Sequence, residues 1–531
     1  QLLQGHLGEV IDQMSLPEIA GKRCRMYFAE ENQLAYSMIV QAHRILTKRE
    51  LHDTGKLDDL IHAYITDGYL IDTAYRKYTN ASDQLPTSQV EVFEKLSQKV
   101  EAAYNNDYLA PAIHDWCQDY VPNVVEPRTL ERNFYSSVVA PNKDRVVVII
   151  SDAFRFEAAK ELQERLDSRD VFGTDMHYAI TGVPSVTYFG MPSLLPNQKL
   201  TYQGDKELLV DGKKAVNLEQ RLEILQSLEP QSRAMHLKDF ISMSLADQKK
   251  YIVNQKVIYF YHDTVDATGD KPASEANVFR AVDDAIEELT RAIDRLRNIS
   301  IRNIYVTADH GFIYRRHLLD STDKISLPAE VDFEQKNLRY AIGSQDFDEI
   351  GVGRVKLGDI LNNDDERMVF YPSNANVFSV PGAGQNYVHG GCSPQEMIVP
   401  VLHVLTESRK SQATYVTLSV TDSTRRITSH EVIVNMLQND PVDETHRPAT
   451  YALYFVDGSG RHISGEQVVQ ADSTSVNVND RLIRKHIPLI DQDFDRAGHY
   501  QLIIQNVEAN TTTSIDYQMD LTVEGGFDFD I

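Results

Sequence analysis

The feature that most constrains this chain is a junction that recurs four times: a strand-length apolar run that gives way abruptly to aspartate, histidine or threonine. In Val146-Val-Val-Ile-Ile150 the run is five β-branched residues, the pattern of a strand buried on both faces of a parallel sheet. It passes into Ser151-Asp152 and then into a helical stretch, Glu157 to Leu166. Asp175 to Ile180 leads into Thr181-Gly-Val-Pro-Ser185-Val-Thr187. Lys256 to Tyr261 ends in His262-Asp263-Thr-Val-Asp266-Ala-Thr-Gly-Asp270, and Asn303 to Ala308 ends in Asp309-His310-Gly311. Open α/β sheets keep their chemistry outside the carboxyl ends of their strands. Read alone, Asp152 is equally a cap for the helix that follows; four such tips in one stretch read as a site.

At 531 residues the chain exceeds what one core supports, and its texture divides into three parts. Residues 1–135 carry helical spacing, over Glu31 to Arg49 and over Lys56 to Tyr78 with a tyrosine stripe. Ser88-Gln-Val-Glu91 has the form of a capping box. These aromatic residues read as helix packing, with a partner-binding face as the alternative. Residues 141–410 alternate strand and helix signals, which predicts a mostly parallel sheet flanked by helices. Within them, Ser274 to Asn298 is a long amphipathic helix, 318–370 is a more polar insertion, and Met397 to Leu405 is a final apolar run. Residues 411–531 break into short alternating runs separated by Gly, Asp, Asn and Ser, the texture of a β-sandwich, with the tail Gly525 to Ile531 as a terminal strand or, alternatively, a docking peptide.

Charge and cysteine usage narrow the function. A formal net charge of −25 repels polyanions, so nucleic acid or phosphate must meet local cations, whether metal ions or clustered Arg and Lys such as Arg315 and Arg316. The three cysteines, Cys24, Cys117 and Cys392, have no paired spacing, which argues against a zinc finger or disulfide scaffold and predicts a reducing cytoplasm. No apolar run approaches the roughly 18 residues of a membrane span. The opening Gln1-Leu-Leu-Gln-Gly-His lacks the charged-then-apolar pattern of a leader and fits a piece of a longer protein.

The strand tips together present Asp152; Ser185 and Thr187; His262, Asp263, Asp266 and Asp270; Asp309 and His310; and, further on, His389 with Ser393 and Glu396. Aspartates and histidines crowded at neighbouring tips repel one another unless cations lie between them. Mixed Asp and His donors suit zinc and manganese. Two such ions about 4 Å apart can clamp the attacking and leaving oxygens of a phosphoryl group.

In this order, the Asp of the first strand, Pro184-Ser-Val-Thr187, Asp266-Ala-Thr-Gly-Asp270, Asp309-His-Gly311 and His389-Gly-Gly-Cys-Ser393 resemble the alkaline phosphatase superfamily. Ser151-Asp-Ala-Phe-Arg-Phe-Glu157 with Val306-Thr-Ala-Asp-His-Gly-Phe312 looks more closely like the PglZ family, components of bacterial BREX phage-defence systems. The resemblance implies an alkaline-phosphatase-like fold over about 141–407 and one metal held by Asp152, Thr187, Asp309 and His310. It implies a second metal held by Asp266, Asp270 and His389, with Asp263 as a substitute ligand in another register. It makes Thr187 the nucleophile of a phosphodiesterase or phosphatase, plausibly a nuclease, and makes other BREX proteins its partners. Zinc is the expected ion; Asp270 stands where the superfamily usually has His, which shifts the second site toward manganese or magnesium. Arg155 is read as a phosphate contact or as the partner of Glu157 or another acid. Ser393 and Glu396 are expected to orient His389, and His262 and His177 to be structural. The competing readings are a scaffold of the defence complex with a structural metal site, and a mutase or sulfatase on small metabolites.

Overall fold

All six residues of the strand Val146–Ser151 (β1) are buried, as its unbroken apolar run requires. Around it lie Phe172–Ile180 (β2), Ser232–His236 (β3), Val257–His262 (β4), Asn303–Thr307 (β5) and Ile398–Thr406 (β6), in the order β2-β6-β5-β1-β4-β3. This is a computed structural model, described for residues 20, 32–47, 56–169, 171–316, 321–380, 386–406, 414–443, 446–509 and 511–521.

The pairs β1–β4, β1–β5 and β3–β4 are parallel, whereas β6 runs antiparallel to both its neighbours. The reversal has a simple cause. The chain enters β6 directly from the His389 loop, and a strand entered from the carboxyl-end side needs no crossover only if it runs backwards. Ser151 pairs with His262 and Ile150 with Thr307, so the polar tips of β1, β4 and β5 emerge at one edge of the sheet.

The amphipathic helix is Val278–Asn298, with Val278, Ala281, Ile286, Leu289, Ile293 and Leu296 all buried. Its predicted first turn is instead a 3-10 turn, Glu275–Asn277. The helical front comprises Gln33–Thr47, Leu57–Ala63, Tyr69–Asp83, Thr87–Ala102 and Ala110–Asp119, interrupted by π-turns at Tyr64–Gly68 and Ala103–Leu109. No capping box forms. Pro86 occupies the N-cap, the helix begins at Thr87, and Ser88 therefore already lies in the first turn, where its hydroxyl cannot cap.

Residues Gln1–Thr406 form one unit and Glu407–Ile531 a second, so the expected boundary near 135 is not a seam. A single apolar core takes in Tyr75 and Trp116 of the helices together with Val147–Ile150 of β1. The rings of Tyr75 and Tyr104 stack at 3.7 Å. Helical periodicity predicted these helices but could not report what they pack on.

The polar insertion is a four-stranded antiparallel sheet of Phe333–Lys336, Ala341–Gly343, Met368–Pro372 and Val352–Lys356. In the second unit, a three-stranded sheet (Leu418–Val420, Glu431–Gln438, Leu482–Pro488) and a five-stranded sheet share one core. Val434, Met436 and Ile487 contribute from the first and Leu453, Phe455 and Leu502 from the second, which is the expected sandwich. The tail 525–531, Cys24 and the opening residues lie outside the described residues. Among the described residues no helix is long and apolar enough to cross a membrane.

Candidate metal centre

The site is built from strand ends that the sheet register aligns. Asp152 follows β1, and its backbone N–H donates to the His262 carbonyl at 2.8 Å. The next residue, Ala153, takes a left-handed φ of 59°, a costly conformation for a residue with a Cβ. That turn brings the Ala153 N–H to Asp309 Oδ1 at 3.3 Å, tying the two acidic tips together. Thr187 opens the short helix Thr187–Ser193, and its Oγ1 lies 3.1 Å from His310 Nε2. Ser185, the other candidate hydroxyl, is buried and donates to the Gly391 carbonyl at 2.9 Å, which leaves Thr187 as the hydroxyl facing the cluster.

Two groups of donor atoms form, each within 4.8 Å: Asp152, Asp309 and His310, and Asp266, His310 and His389. His310 belongs to both, and its ring stacks on that of His389 at 4.3 Å and 3°. His310 Nδ1 is 3.0 Å from the Gly311 carbonyl. A carbonyl only accepts, so Nδ1 carries the proton and Nε2 presents its lone pair to the cluster. Asp152 Oδ1 and Asp309 Oδ2 are buried without a hydrogen-bond partner. Orphaned carboxylate oxygens beside an imidazole lone pair are costly alone and suited to a cation, so this donor set fits a divalent ion.

The electrostatics agree. Burial, then the charges of Asp309 and Asp266, push the Asp152 carboxyl well above the usual carboxylate range. Burial likewise raises Asp266, although His389 and His310 oppose it. Burial also disfavours the charge on Asp270, yet the hydrogen bond from His389 and that imidazole's charge hold it below its ordinary value. His389 is correspondingly raised to about 9: burial opposes its protonation, but Asp270 and Asp266 outweigh it.

A carboxyl whose folded pKa is raised contributes stability only at low pH, and loses it as pH climbs past the ordinary carboxylate range. For metal-free protein we therefore expect Asp152→Asn to melt higher than the wild type in EDTA at pH 8, with the gap shrinking toward pH 4. Divalent ions should raise the wild-type melting temperature and the variant's much less. A lower melting temperature for the variant in EDTA at pH 8 would contradict this charge account.

Asp270 lies 3.4 Å from His389 Nε2 but falls outside both groups, with its side chain 55% exposed. Asp263 is exposed, and its carbonyl caps the turn at Ala267; Asp266 is the residue the β4 loop turns inward. His262 is held between Ser151 Oγ at 2.8 Å and Glu288 at 2.7 Å, a satisfied strand-end histidine. His177 is an exposed residue beside Asp175.

Three expectations are corrected. Arg155 does not reach the cleft as a phosphate contact; its other reading, pairing with an acid, holds, the partner being Asp72 at 2.8 Å and not Glu157, with the Arg155 side chain 1% exposed, because the left-handed turn at Ala153 sends the chain away from the tips. Ser393 and Glu396 do not touch His389. Glu396 instead binds Arg339 at 2.9 and 3.2 Å, the Gly391 N–H and the Ser393 hydroxyl, bracing the loop that carries His389. Arg315 and Arg316 form no free basic patch, being paired with Asp323 and Asp83.

Sequence reasoning missed Tyr387, whose hydroxyl donates to Asp266 Oδ1 at 2.9 Å. The signal was present: Tyr387–Val388 is a strand, and a period of two puts 387 on the same side as 389. Gly190 is a second constraint. A Cβ there would collide with the Asp309 carbonyl oxygen, so only glycine lets the Thr187 helix approach the β5 tip. Gly190→Ala should destabilise by about 1–3 kcal/mol through overpacking and impair turnover by displacing Thr187 from Asp309. Thermal melts and ester hydrolysis check it; a variant with wild-type stability and rate would contradict that close approach.

Residues 134–404 match the family model described as the BREX system PglZ alkaline phosphatase-like domain. The chain is 31% identical over 548 aligned residues to the alkaline phosphatase-like protein PglZ of Bacillus cereus (strain H3081.97), covering 98% of this chain and 63% of that protein. It is 28% identical over 535 residues to the alkaline phosphatase-like protein BrxZ of Escherichia coli O9:H4 (strain HS), covering 94% and 61%. It thus spans about three fifths of the length of these curated relatives. Among solved structures, phosphonoacetate hydrolase from Sinorhizobium meliloti 1021 matches 49% of this chain and 90% of its own, with a TM-score of 0.31 and 12% identity. With its motifs at the expected strand tips and more than half of its length matched by the family model, the chain belongs to the PglZ family of alkaline phosphatase-like proteins.

Proposed function

We propose that this chain is a metal-dependent phosphoric ester hydrolase acting through Thr187 on phosphodiesters, those of nucleic acid included. The observation that carries the reading is the buried convergence of Asp152, Asp309 and His310 with the Thr187 hydroxyl 3.1 Å from the histidine that both donor groups share. Asp152, Asp309 and His310, with Thr187, would hold one divalent ion. Asp266, Asp270 and His389, beside the shared His310, would hold a second. Zinc is the first choice for this Asp/His set, with manganese or magnesium at the Asp270 side. When bound, the ions supply Lewis-acid stabilisation of the charge that develops on the phosphoryl oxygens.

The chain's own groups do the rest. Thr187 Oγ1 attacks phosphorus in line, its new P–O bond forming as the bond to the departing alcohol breaks on the opposite side. The proton lost from Oγ1 is balanced by the one the alcohol takes up, and water then cleaves the phosphothreonine to release phosphate or a phosphomonoester. Gly311 fixes the His310 tautomer and Tyr387 aligns Asp266, so neither ligand has to reorganise during reaction.

The family description supports a place in a BREX defence complex in the cytoplasm, with other BREX proteins as partners. The net charge of −25 restricts any nucleic acid to contacts made locally at the site. The test is hydrolysis of bis-p-nitrophenyl phosphate and of supercoiled plasmid by EDTA-stripped protein with zinc, manganese or magnesium restored. Activity that returns with metal and is absent from Asp309→Ala supports a diesterase, and plasmid nicking extends it to DNA. Folded wild type that binds ions yet stays silent on every substrate overturns the enzyme reading in favour of a scaffold with a structural metal site.

A further inference from the structure

A cleft of about 340 Å³ opens in front of Thr187, within the size range of small-molecule sites. Thr187 and His389 line it together with Tyr188, Tyr340, Asn337 and Lys206. The lining thus joins part of the acid and imidazole cluster to aromatic rings, an amide and one lysine.

The backbone holds that lysine at an exposed turn. Lys206 sits at the tip of the hairpin formed by Leu200–Gly204 and Glu207–Val210. Asp205 and Lys206 take φ values of 49° and 61°, the two left-handed residues of a tight primed turn. Holding two residues with side chains in that conformation costs free energy, and nothing in the hairpin's own pairing needs a lysine there. Its ammonium forms no ion pair among the described residues. It is the one Lys or Arg lining the cleft among the described residues, in a chain with net charge −25.

The aromatic part of the lining is held by its own hydrogen bonds. The Tyr188 hydroxyl donates to that of Tyr340 at 3.1 Å, and its half-buried ring stands 5.2 Å from Phe189, edge to face. Asn337 Oδ1 accepts from the Leu338 N–H at 2.7 Å and its NH2 is hydrogen-bonded to Tyr340, so the amide has one further N–H to offer a ligand. A half-buried aromatic ring, an amide donor and a cation around one cavity match a planar heterocycle carrying carbonyl groups and joined to a phosphate.

We infer that this cleft takes the nucleoside arm of a phosphodiester, with the base against Tyr188 and Asn337 and a non-bridging phosphate oxygen paired to Lys206. The inference rests on the proposed reading of the Thr187 site and names the substrate class for it. A diester whose phosphorus lies at Thr187 has two arms, and this cavity gives one of them an ordered surface. Lys206 here is a binding residue, not one that reacts.

The experiment compares the p-nitrophenyl ester of thymidine 5′-monophosphate with methyl p-nitrophenyl phosphate, which lacks the nucleoside, in metal-restored wild type, Lys206→Ala, Lys206→Arg and Tyr188→Ala. Wild type should favour the nucleotide ester by about tenfold or more in kcat/KM, the worth of one base stacked on an aromatic ring. Lys206→Ala should raise KM about tenfold for both esters, since both carry the phosphate it pairs with, and Lys206→Arg should recover part of the loss; Tyr188→Ala should cost the nucleotide ester about tenfold with a smaller effect on the methyl ester. Equal kcat/KM for the two esters in wild type, or equal losses on both in Tyr188→Ala, would overturn the inference.

Calorimetric titration with thymidine 5′-monophosphate separates this from failure of the hydrolase reading. If wild type turns over neither ester but binds the nucleotide, and Lys206→Ala binds it at least about tenfold more weakly, the cleft assignment stands and the hydrolase falls. If wild type turns over the methyl ester but does not bind the nucleotide, the hydrolase stands and the cleft assignment falls.

Discussion

Thr187→Ala should lower the turnover of bis-p-nitrophenyl phosphate by at least about 1,000-fold, as removal of a covalent nucleophile does in hydrolases that retain the rest of their site. The loss should be chemical rather than structural. Thr187 Oγ1 makes its one described hydrogen bond to His310, and the helix it opens is held through Phe189, Met191 and Leu194 in the core. The melting temperature should therefore move by no more than the worth of one partly exposed hydrogen bond, about 1 kcal/mol. Thr187→Ser keeps the hydroxyl while freeing its rotation, and should retain measurable activity, well above Ala. Ser185 cannot take over, since its hydroxyl is buried and committed to Gly391. An alanine variant that kept more than a tenth of wild-type rate would remove Thr187 from the chemistry and leave the cluster to activate water directly.

Arg76→Met should cost about 3–5 kcal/mol of stability, the range for removing one partner of a buried ion pair. Arg76 is fully buried and binds three acids on two other helices: Glu157 at 2.9 Å, Glu161 at 2.5 Å and Asp283 at 2.5 Å. Glu157 dominates the cost. It has no exposure, and apart from Arg76 its described hydrogen bond is from Thr73 at 3.1 Å, so methionine would leave its charge stranded. Glu161 and Asp283 are partly solvated and lose less. The double variant Arg76→Met with Glu157→Gln should recover a large part of the loss, because a buried pair can be replaced by uncharged groups far more cheaply than it can be broken. Denaturant melts of the three proteins check this. Additive losses in the double variant would mean that the pair is not the linkage between the helical front and the sheet.

The same pair shows where sequence reading stops. β1, β4 and β5 were legible because a short apolar run ending in acids fits a buried strand that delivers its polar tip to the sheet edge and fits little else. Their register then brings Asp152 and Asp309 together, whereas Asp266, four residues past the end of β4, was chosen over Asp263 by motif and not by register. Arg76 and Glu157 are 81 residues apart, and neither has a periodicity that points to the other. Arg155 illustrates the opposite hazard. Three residues from Asp152 it read either as a phosphate contact or as the partner of an acid, and one left-handed residue, Ala153, turned its side chain into the helical layer toward Asp72. Proximity along a chain is a guide to function only while the backbone keeps its direction. The antiparallel β6 was illegible for a related reason: an apolar run carries no sign of which way it enters the sheet. His389 was found by motif alone, whereas Tyr387 beside it was passed over, because a tyrosine at a strand position reads first as packing.

The central claim is that the Asp and His cluster at the strand tips holds divalent ions. The most direct test is the number of metal ions retained per chain after dialysis against zinc or manganese, measured by elemental analysis of wild type, Asp309→Ala and His310→Ala. Two overlapping donor groups that share His310 predict about two ions in wild type, fewer in Asp309→Ala and the largest loss in His310→Ala. Wild-type protein that is folded and retains no more metal than His310→Ala would contradict the account.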